Sequence, residues 1–286
     1  MWQLNSNDKE LIDIALKEDL NFPYYDATTT IFFPNNIQKR SVYIISKDKY
    51  DVVVCGITAV KYILEKFGVF TGLEVYVDDK KIIKKGEKLL KISAPADILL
   101  KTERLILNFL RHLSAISTYT KKFVDSVKNT NLKILDTRKT TPGMRHLEKY
   151  AVLCGGGINH RMGLYDEIML KDTHLGMLPD LCSALKMLPE LKNSSLPVVI
   201  EIHNIADLKT AITYGKNKIT RILLDNMSVV DLTKCVLLCR DIFVTEASGN
   251  ITLENISKIA ETGVDYASIG ALTYAAPPVD FSMQAI

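Results

Sequence analysis

Hydrophobic and polar positions follow two different rhythms along this chain. Over roughly the first 110 residues, helix and strand periods are mixed. Glu10 is placed for a capping box on Asn7, and the helix that follows carries Leu11, Ile14 and Ala15 as its expected inner stripe. Ser41–Ile45, Asp51–Val54 and Leu73–Val77 are rich in Val, Ile and Tyr and bounded by turn residues, which predicts strands. Ile57–Phe67 predicts a helix ending at Gly68, and Leu99–Leu113 a longer amphipathic one carrying Arg104 and Asn108. This crowded order of strand, helix and strand predicts a small α+β domain.

Beyond residue 130 the pattern changes to short apolar runs separated by capped helices. The runs are Lys133–Asp136, Ile168–Lys171, Val198–Glu201, Arg221–Asp225, Ile242–Glu246 and Tyr266–Gly270. Asn204 with Asp207, Ser228 with Asp231, and Thr252 are placed to open three of the intervening helices, the first with Ile205, Leu208 and Ile212 facing inward and the last ending at Gly263. The last four runs start 23, 21 and 24 residues apart. That is the rhythm of βα units in a parallel barrel or a doubly wound sheet.

Composition narrows the picture by exclusion. The chain has 286 residues, 47% hydrophobic and 24% charged, which are ordinary globular values. Lys+Arg 36 against Asp+Glu 33 leaves a net charge of +3, too mild to imply a nucleic-acid or membrane partner. The lysines at 80, 81, 84, 85, 88 and 91 alternate with aliphatic pairs and carry no interleaved aromatic, so they are read as the solvated face of a short strand pair. No apolar run approaches the 18 or so residues of a membrane span. The opening residues show no basic region followed by an apolar stretch. Five cysteines without a Cys-x-x-Cys pair argue against a disulfide framework. A reduced, soluble, cytoplasmic protein is expected.

The candidate chemistry lies where the apolar runs end. The ends read Asp136-Thr137-Arg138-Lys139, Lys171-Asp172, Glu201, Asp225-Asn226, Glu246-Ala247-Ser248-Gly249 and Gly270-Ala271. In a parallel barrel these ends converge on the C-terminal face, where βα loops build active sites. Arg138, Lys139, Arg161 and Lys171, with His160 beside Arg161, call for a polyanionic ligand. Glu201 and Asp225 suit ribose hydroxyls or a magnesium ion bridging phosphates. Ser248-Gly249-Asn250 and Gly270-Ala271 are small enough for backbone N–H groups to approach a phosphate. Gly155-Gly156-Gly157 follows a helical stretch rather than a strand, so it is no dinucleotide fingerprint and reads as a flexible or close-approach loop delivering Asn159-His160-Arg161. Cys235 and Cys239, among Val and Leu, are read as core. His112, His146 and His203 have no evident partner.

Several long motifs in order then carry a family resemblance. They are Glu103-Arg104 with Leu107-Asn108, Asp136 to Gly143 (Asp-Thr-Arg-Lys-Thr-Thr-Pro-Gly), Gly155 to Asp166, Leu170 to His174, Glu201, Leu224-Asp225-Asn226, Glu246 to Ile251 and Gly270 to Thr273. Together they closely resemble the quinolinate phosphoribosyltransferases, or carboxylating nicotinate-nucleotide pyrophosphorylases, over nearly the whole chain. The departures are Tyr25 in an early Gly-Asp turn, Ala115 and Ser117 in a Ser-Gly-Ile-Ala-Thr segment, and Tyr274 where a histidine is frequent; none removes a charged site residue.

The resemblance implies an α/β fold with an N-terminal α/β sandwich domain, residues 1–112, joined by the tail 274–286, and an incomplete parallel α/β (TIM-like) barrel, residues 113–273. It implies phosphoribosyl transfer from phosphoribosyl pyrophosphate to quinolinate with loss of CO2, giving nicotinate mononucleotide and pyrophosphate. It implies Mg2+ as cofactor, held directly or indirectly by Glu201 and Asp225, and a homodimer in which Arg104 reaches the partner's site. Carried onto this chain, Arg104, Thr137, Arg138, His160, Arg161 and Lys171 contact quinolinate. Lys139, Glu201, Asp225, Ser248, Gly249, Asn250, Gly270 and Ala271 contact the phosphoribosyl donor, and Lys139, Lys171, Glu201 and Asp225 carry the catalytic roles. Two relatives of this fold group are the alternatives: a phosphoribosyltransferase acting on nicotinate, and a pyrophosphorylase-like protein associated with molybdenum transport. Lys171-Asp-Thr-His174 and the doubled cation set favour quinolinate.

Overall fold

The structure is a computed structural model that describes residues 2–21, 23–33, 38–190 and 193–286. The chain forms two compact units, each discontinuous in sequence. One comprises Met1–Lys121, Thr140–Gly156 and Leu272–Ile286, and the other Lys122–Lys139 and Gly157–Ala271.

In the first unit, helix α1 (Ser6–Leu20) begins two residues earlier than the sequence pattern suggests. Asn5 caps it, accepting from the Asp8 N–H at 2.9 Å while the Asp8 carboxylate accepts from the Asn5 N–H. The buried stripe is therefore Asp8, Ile12, Leu16 and Leu20, and Ile14 points to solvent at 54% exposure. The capping box expected on Asn7 and Glu10, and the stripe expected at 11, 14 and 15, are both corrected by this shift. Helix α2 (Ala27–Phe32) is capped by Asp26, whose carboxylate accepts from Thr29 N–H.

Strand β1 (Lys39–Ser46) and β5 (Lys88–Pro95) pair antiparallel, flanked by β3 (Leu73–Val75) and the C-terminal β12 (Phe281–Ala285), in the order β12-β1-β5-β3. A register shift between Ile44 and Ile45 lets both consecutive residues be buried. The tail thus completes this sheet. Strands β2 (Val52–Val53) and β4 (Ile82–Ile83) form a separate two-stranded ribbon. The lysine-rich stretch therefore spans two sheets rather than one strand pair. Lys91 is bonded to Glu74 at 3.0 Å, and Lys88 lies over the Tyr43 ring.

Helix α3 (Ile57–Lys66) has no side-chain N-cap of its own; Asp79 Oδ1 accepts from the Gly56 and Ile57 N–H groups at 3.0 and 3.1 Å. Helix α4 (Ala96–Ser126) is twice the length expected, and position 112/113 lies inside it. Its hydroxyls satisfy the free edge of β2: Thr118 Oγ1 accepts from Val53 N–H, Ser114 Oγ accepts from Cys55 N–H, and Ser117 Oγ donates to Val53 C=O at 2.7 Å. The Ser114 to Thr118 segment is thus structural, because a buried backbone edge needs partners. Helix α5 (Arg145–Cys154) buries Leu147, Tyr150 and Ala151 and leads into Gly155, where a Cβ would stand 2.3 Å from the Ser117 carbonyl oxygen. That is the close approach the triple glycine suggested.

The second unit is built on six parallel strands, β6 (Lys133–Leu135), β7 (Ile168–Leu170), β8 (Val198–Ile202), β9 (Arg221–Asp225), β10 (Val244–Ser248) and β11 (Tyr266–Ser268), ordered β6-β11-β10-β9-β8-β7. From β7 to β11 each strand neighbours its chain successor, and β6 lies beside β11, which is barrel order. On the other edge of β6, Ile158 makes a single parallel bridge to Leu135. No ladder joins this edge to β7 among the described residues, so the barrel is incomplete.

Helices α6 (Asp172–Leu175), α7 (Leu181–Met187), α8 (Ile205–Gly215), α9 (Val229–Cys239), α10 (Ile256–Glu261) and α11 (Ala271–Tyr274) follow or connect the strands. Asn204 and Ser228 cap α8 and α9 through the Asp207 and Asp231 N–H groups, as expected. Leu208, Ala211 and Gly215 form the buried face of α8, with Ile205 and Ile212 at its margin. Helix α10 starts after Asn255 rather than at Thr252, whose N–H donates to Asn255 Oδ1. Cys235 and Cys239 are both 0% exposed, in the core.

Candidate active site

Because all six strands run parallel, their C-terminal ends lie on one face, and the candidate residues fall there in three groups. The first follows β6 and the Ile158 bridge. Asp136 is fully buried, and its Oδ1 accepts from the His160 N–H at 2.8 Å, which pins Asn159-His160-Arg161 along the edge of β6. Thr137 Oγ1 accepts from the Lys139 N–H at 3.0 Å and shapes the turn that presents Arg138 and an exposed Lys139. The Arg138 Nε is buried without a hydrogen-bond partner. Arg161 donates from Nη1 to the Glu167 carbonyl at 3.1 Å. Burial, and then the neighbouring Arg138 cation, push the Arg161 guanidinium below its ordinary range. Two partly buried cations held against each other form a site that an anion stabilises.

The second group joins the ends of β7, β8 and β9. Lys171 Nζ lies 3.7 Å from Glu201 Oε2, His203 Nε2 3.2 Å from Glu201 Oε1, and His203 Nδ1 3.8 Å from Asp225 Oδ2. Asp172 completes a set in which ligand atoms of Asp172, Glu201 and His203 all lie within 4.8 Å of one another. His203, expected to have no partner, therefore sits between two predicted site acids. Register explains it: Ile202 pairs with Leu224, so the next residue of each strand, His203 and Asp225, come level. His112 and His146 also have partners, Glu148 at 2.8 Å and Asp8 at 2.6 Å, in the first unit. Hard carboxylate oxygens joined by an imidazole suit a divalent cation.

The third group is the loop after β10. Gly249 (φ 91°) and Asn250 (φ 50°) are both left-handed, and so is Asn226 (φ 53°) after β9. The Asn226 N–H donates to Ser248 C=O at 2.8 Å; its side chain donates to Asp225 Oδ2 at 2.6 Å and accepts from Asn250 Nδ2 at 3.1 Å. A Cβ on Gly249 would stand 2.2 Å from Asn226 Oδ1. Asn226, which the sequence marks only as the end of its strand and assigns no role, thus organises this loop; two asparagines able to adopt positive φ, Asn226 and Asn250, were a usable signal. Ser248, Gly249, Asn250 and Asn226 line a cavity of ≈ 170 Å³ with an apolar floor including Leu224, Met227 and Ile259. Gly270 and Ala271 stand at the end of β11, where α11 begins. Arg104 is exposed on α4 in the other unit.

Deeper in the barrel lies an ionic cluster that sequence reasoning missed. Strand β10 begins two residues later than expected, so Glu246 is not at the strand end but inside, and it is fully buried. Arg221 bridges two acids, with Nη2 2.7 Å from Glu167 Oε2 and Nε 2.8 Å from Glu246 Oε2. The His160 ring, 6% exposed, lies 3.4 Å from Glu246 Oε1 and 3.6 Å from Glu167 Oε1. Its Nδ1 accepts from the Arg161 N–H at 2.7 Å. Burial pushes Glu167 up against the pull of Arg221 and His160; in Glu246, burial pushes upward too, but His160 and Arg221 outweigh it and hold the carboxyl low. The His160 backbone is thus pinned to Asp136, while its ring reaches into this cluster.

Comparison with known proteins agrees over the full chain. The family model for the quinolinate phosphoribosyl transferase N-terminal domain matches residues 26–114, and that for the C-terminal domain residues 116–284. A quinolinate phosphoribosyltransferase [decarboxylating] 2, mitochondrial, of Nicotiana glauca is 36% identical over 96% of this chain and 81% of its own. A probable nicotinate-nucleotide pyrophosphorylase [carboxylating] of Bacillus subtilis is 40% identical over 72% of this chain and 70% of its own. The solved nicotinate-nucleotide pyrophosphorylase of Ehrlichia chaffeensis superposes with a TM-score of 0.90 at 35% identity, covering 100% of both chains. Human nicotinic acid phosphoribosyltransferase, at 9% identity and a TM-score of 0.64, shares the fold. Parallel strand ends that gather cations, acids and a small-residue loop, together with matches to both domains, make this chain a member of the quinolinate phosphoribosyltransferase family.

Proposed function

We infer that this chain transfers a phosphoribosyl group from phosphoribosyl pyrophosphate to quinolinate and releases CO2, forming nicotinate mononucleotide for NAD biosynthesis. Arg138 carries the reading most directly: its buried Nε lacks a hydrogen-bond partner beside a second arginine that burial has destabilised, in a chain matched by both family models. Quinolinate carries two carboxylates. Arg138, Arg161 and Lys171 bind them, with Thr137 and the His160 segment shaping the pocket.

The donor sits across the ends of β8, β9 and β10. Ser248, Gly249, Asn250, Gly270 and Ala271 hold its 5′-phosphate, and Lys139 its pyrophosphate. The unprotonated pyridine nitrogen attacks C1′ as pyrophosphate leaves, so no general base is needed. Glu201 and Asp225 face the ribose and stabilise the positive charge that develops there. The positive charge on the ring nitrogen then stabilises the electron pair left on C2 when the 2-carboxylate departs as CO2, and C2 takes a proton from water to give nicotinate mononucleotide. Glu201 and Asp225 would hold Mg2+, directly or through water; when bound, it neutralises phosphate charge. The active assembly is a homodimer in which the exposed Arg104 enters the partner's quinolinate pocket. All five cysteines are free, which fits a reducing compartment such as the cytoplasm, and no helix among the described residues is long and apolar enough to cross a membrane.

Substrate choice tests the reading. Nicotinate lacks one carboxylate and leaves a pocket cation uncompensated, at about 3–5 kcal/mol. Product analysis should show CO2 and nicotinate mononucleotide from quinolinate, with turnover of nicotinate lower by about two to three and a half powers of ten. Comparable rates with the two acids would refute it.

A further inference from the structure

We propose that Asp172, Glu201 and His203 form a divalent-cation site with an imidazole ligand, which takes manganese or cobalt ahead of magnesium. Glu201 is the fixed point, 8% exposed at the end of β8. Its two oxygens face different partners: Oε2 faces Lys171 at 3.7 Å, and Oε1 faces His203 Nε2 at 3.2 Å. One carboxylate oxygen each of Glu201 and Asp172 and one ring nitrogen of His203 lie within 4.8 Å of one another. A cation with bonds of about 2.1 Å holds adjacent ligands about 3 Å apart. Asp172 and His203 are exposed, so side-chain rotation closes the difference while Glu201 stays still.

Charge points the same way. Asp172, Glu201 and Asp225 bring three negative charges against the single positive charge of Lys171, and the surplus of two matches a divalent ion. Without an ion, the His203 ring lies between Glu201 and Asp225, its nitrogens 3.2 and 3.8 Å from their oxygens. Binding draws the imidazole into coordination. Magnesium prefers oxygen ligands and retained water, whereas an imidazole shifts preference along the divalent series towards manganese and cobalt. The assignment deepens the donor-site reading of Glu201 and rests on it for what the cation does in turnover.

The test is titration of Mn2+ into the full chain without substrate, followed by electron paramagnetic resonance, with electron spin-echo modulation to detect coordinated 14N. The expected result is saturable binding with imidazole 14N modulation in the wild type. His203→Gln should remove the modulation and weaken Mn2+ binding at least about tenfold, since losing even an outer partner of a metal ligand costs about 10- to 100-fold. Asp172→Asn should weaken binding but keep the modulation. Quinolinate binding to both variants, measured by calorimetry, checks that the barrel is folded. Mn2+ bound without 14N modulation, no Mn2+ binding in the absence of donor, or unchanged modulation in His203→Gln would each overturn the proposal. The donor-site reading fails separately, through absence of product from quinolinate whatever the cation.

Discussion

Replacing Arg221 with leucine isolates the ionic cluster inside the barrel. The arginine is 17% exposed and lies 2.7 and 2.8 Å from the carboxylates of Glu167 and Glu246, themselves 8% and 0% exposed. Its Nε makes no aligned hydrogen bond, so much of its effect on Glu246 is electrostatic. Removing one member of a buried pair leaves the other charge uncompensated, at about 3–5 kcal/mol. With a urea slope of about 2–3 kcal/mol/M, the unfolding midpoint of the barrel should fall by about 1–2 M. Burial already raises Glu167, and Arg221 is the strongest influence opposing it, so the variant's Glu167 rises further. A carboxyl raised on folding contributes most below its unfolded pKa of about 4.3 and loses that contribution as pH rises through the folded value. The deficit of Arg221→Leu should therefore be smaller at pH 5 than at pH 8. The measurement is urea unfolding followed by circular dichroism at both pH values. The triple variant Arg221→Leu, Glu167→Gln, Glu246→Gln should recover part of the loss, because the charges are removed together. An unchanged midpoint in Arg221→Leu, or a deficit that shrinks as pH rises, would refute the view that Arg221 compensates these acids.

Gly249→Ala places a Cβ 2.2 Å from Asn226 Oδ1 at a φ of 91°, so it should raise the KM for phosphoribosyl pyrophosphate by about tenfold or more while sparing quinolinate binding; steady-state kinetics with each substrate varied would show it, and an unchanged donor KM would remove this loop from the phosphate cradle. Arg161→Ala should abolish quinolinate binding, and Arg104→Ala should leave the fold intact but inactive. Mixing the two after reversible dissociation should restore about a quarter of the wild-type rate, since half of the dimers are mixed and each mixed dimer has one intact site; no recovery would place Arg104 and Arg161 in the same subunit's site.

How legible the molecule was depended on how local each feature is. All six barrel strands could be located because an apolar run between capped helices is a short-range signal. The caps Asn204 and Ser228 were visible because the cap and the N–H it accepts from are three residues apart. Helix α1 was misplaced because Asn5, Ser6 and Asn7 are all competent caps, and only burial of Ile12 and Leu16 decides among them. Strand β10 was placed two residues early because Ile242 and Phe243 are as apolar as strand residues; both belong to the turn closing α9, where their N–H groups donate to Cys239 C=O.

The chain alone was enough to establish a βα repeat, in a parallel barrel or a doubly wound sheet, with polar groups at its strand ends and, through long ordered motifs, the quinolinate phosphoribosyltransferase family. Both follow from near-neighbour patterns or from extended words in the sequence. Tertiary structure alone decided which charges meet. His203 comes level with Asp225 through the parallel register of β8 and β9, and Arg221 meets Glu167 and Glu246 because the sheet curves their side chains into one interior. Such contacts join residues 22 to 54 positions apart, and their strength depends on burial and distance, neither of which a residue's own neighbours encode.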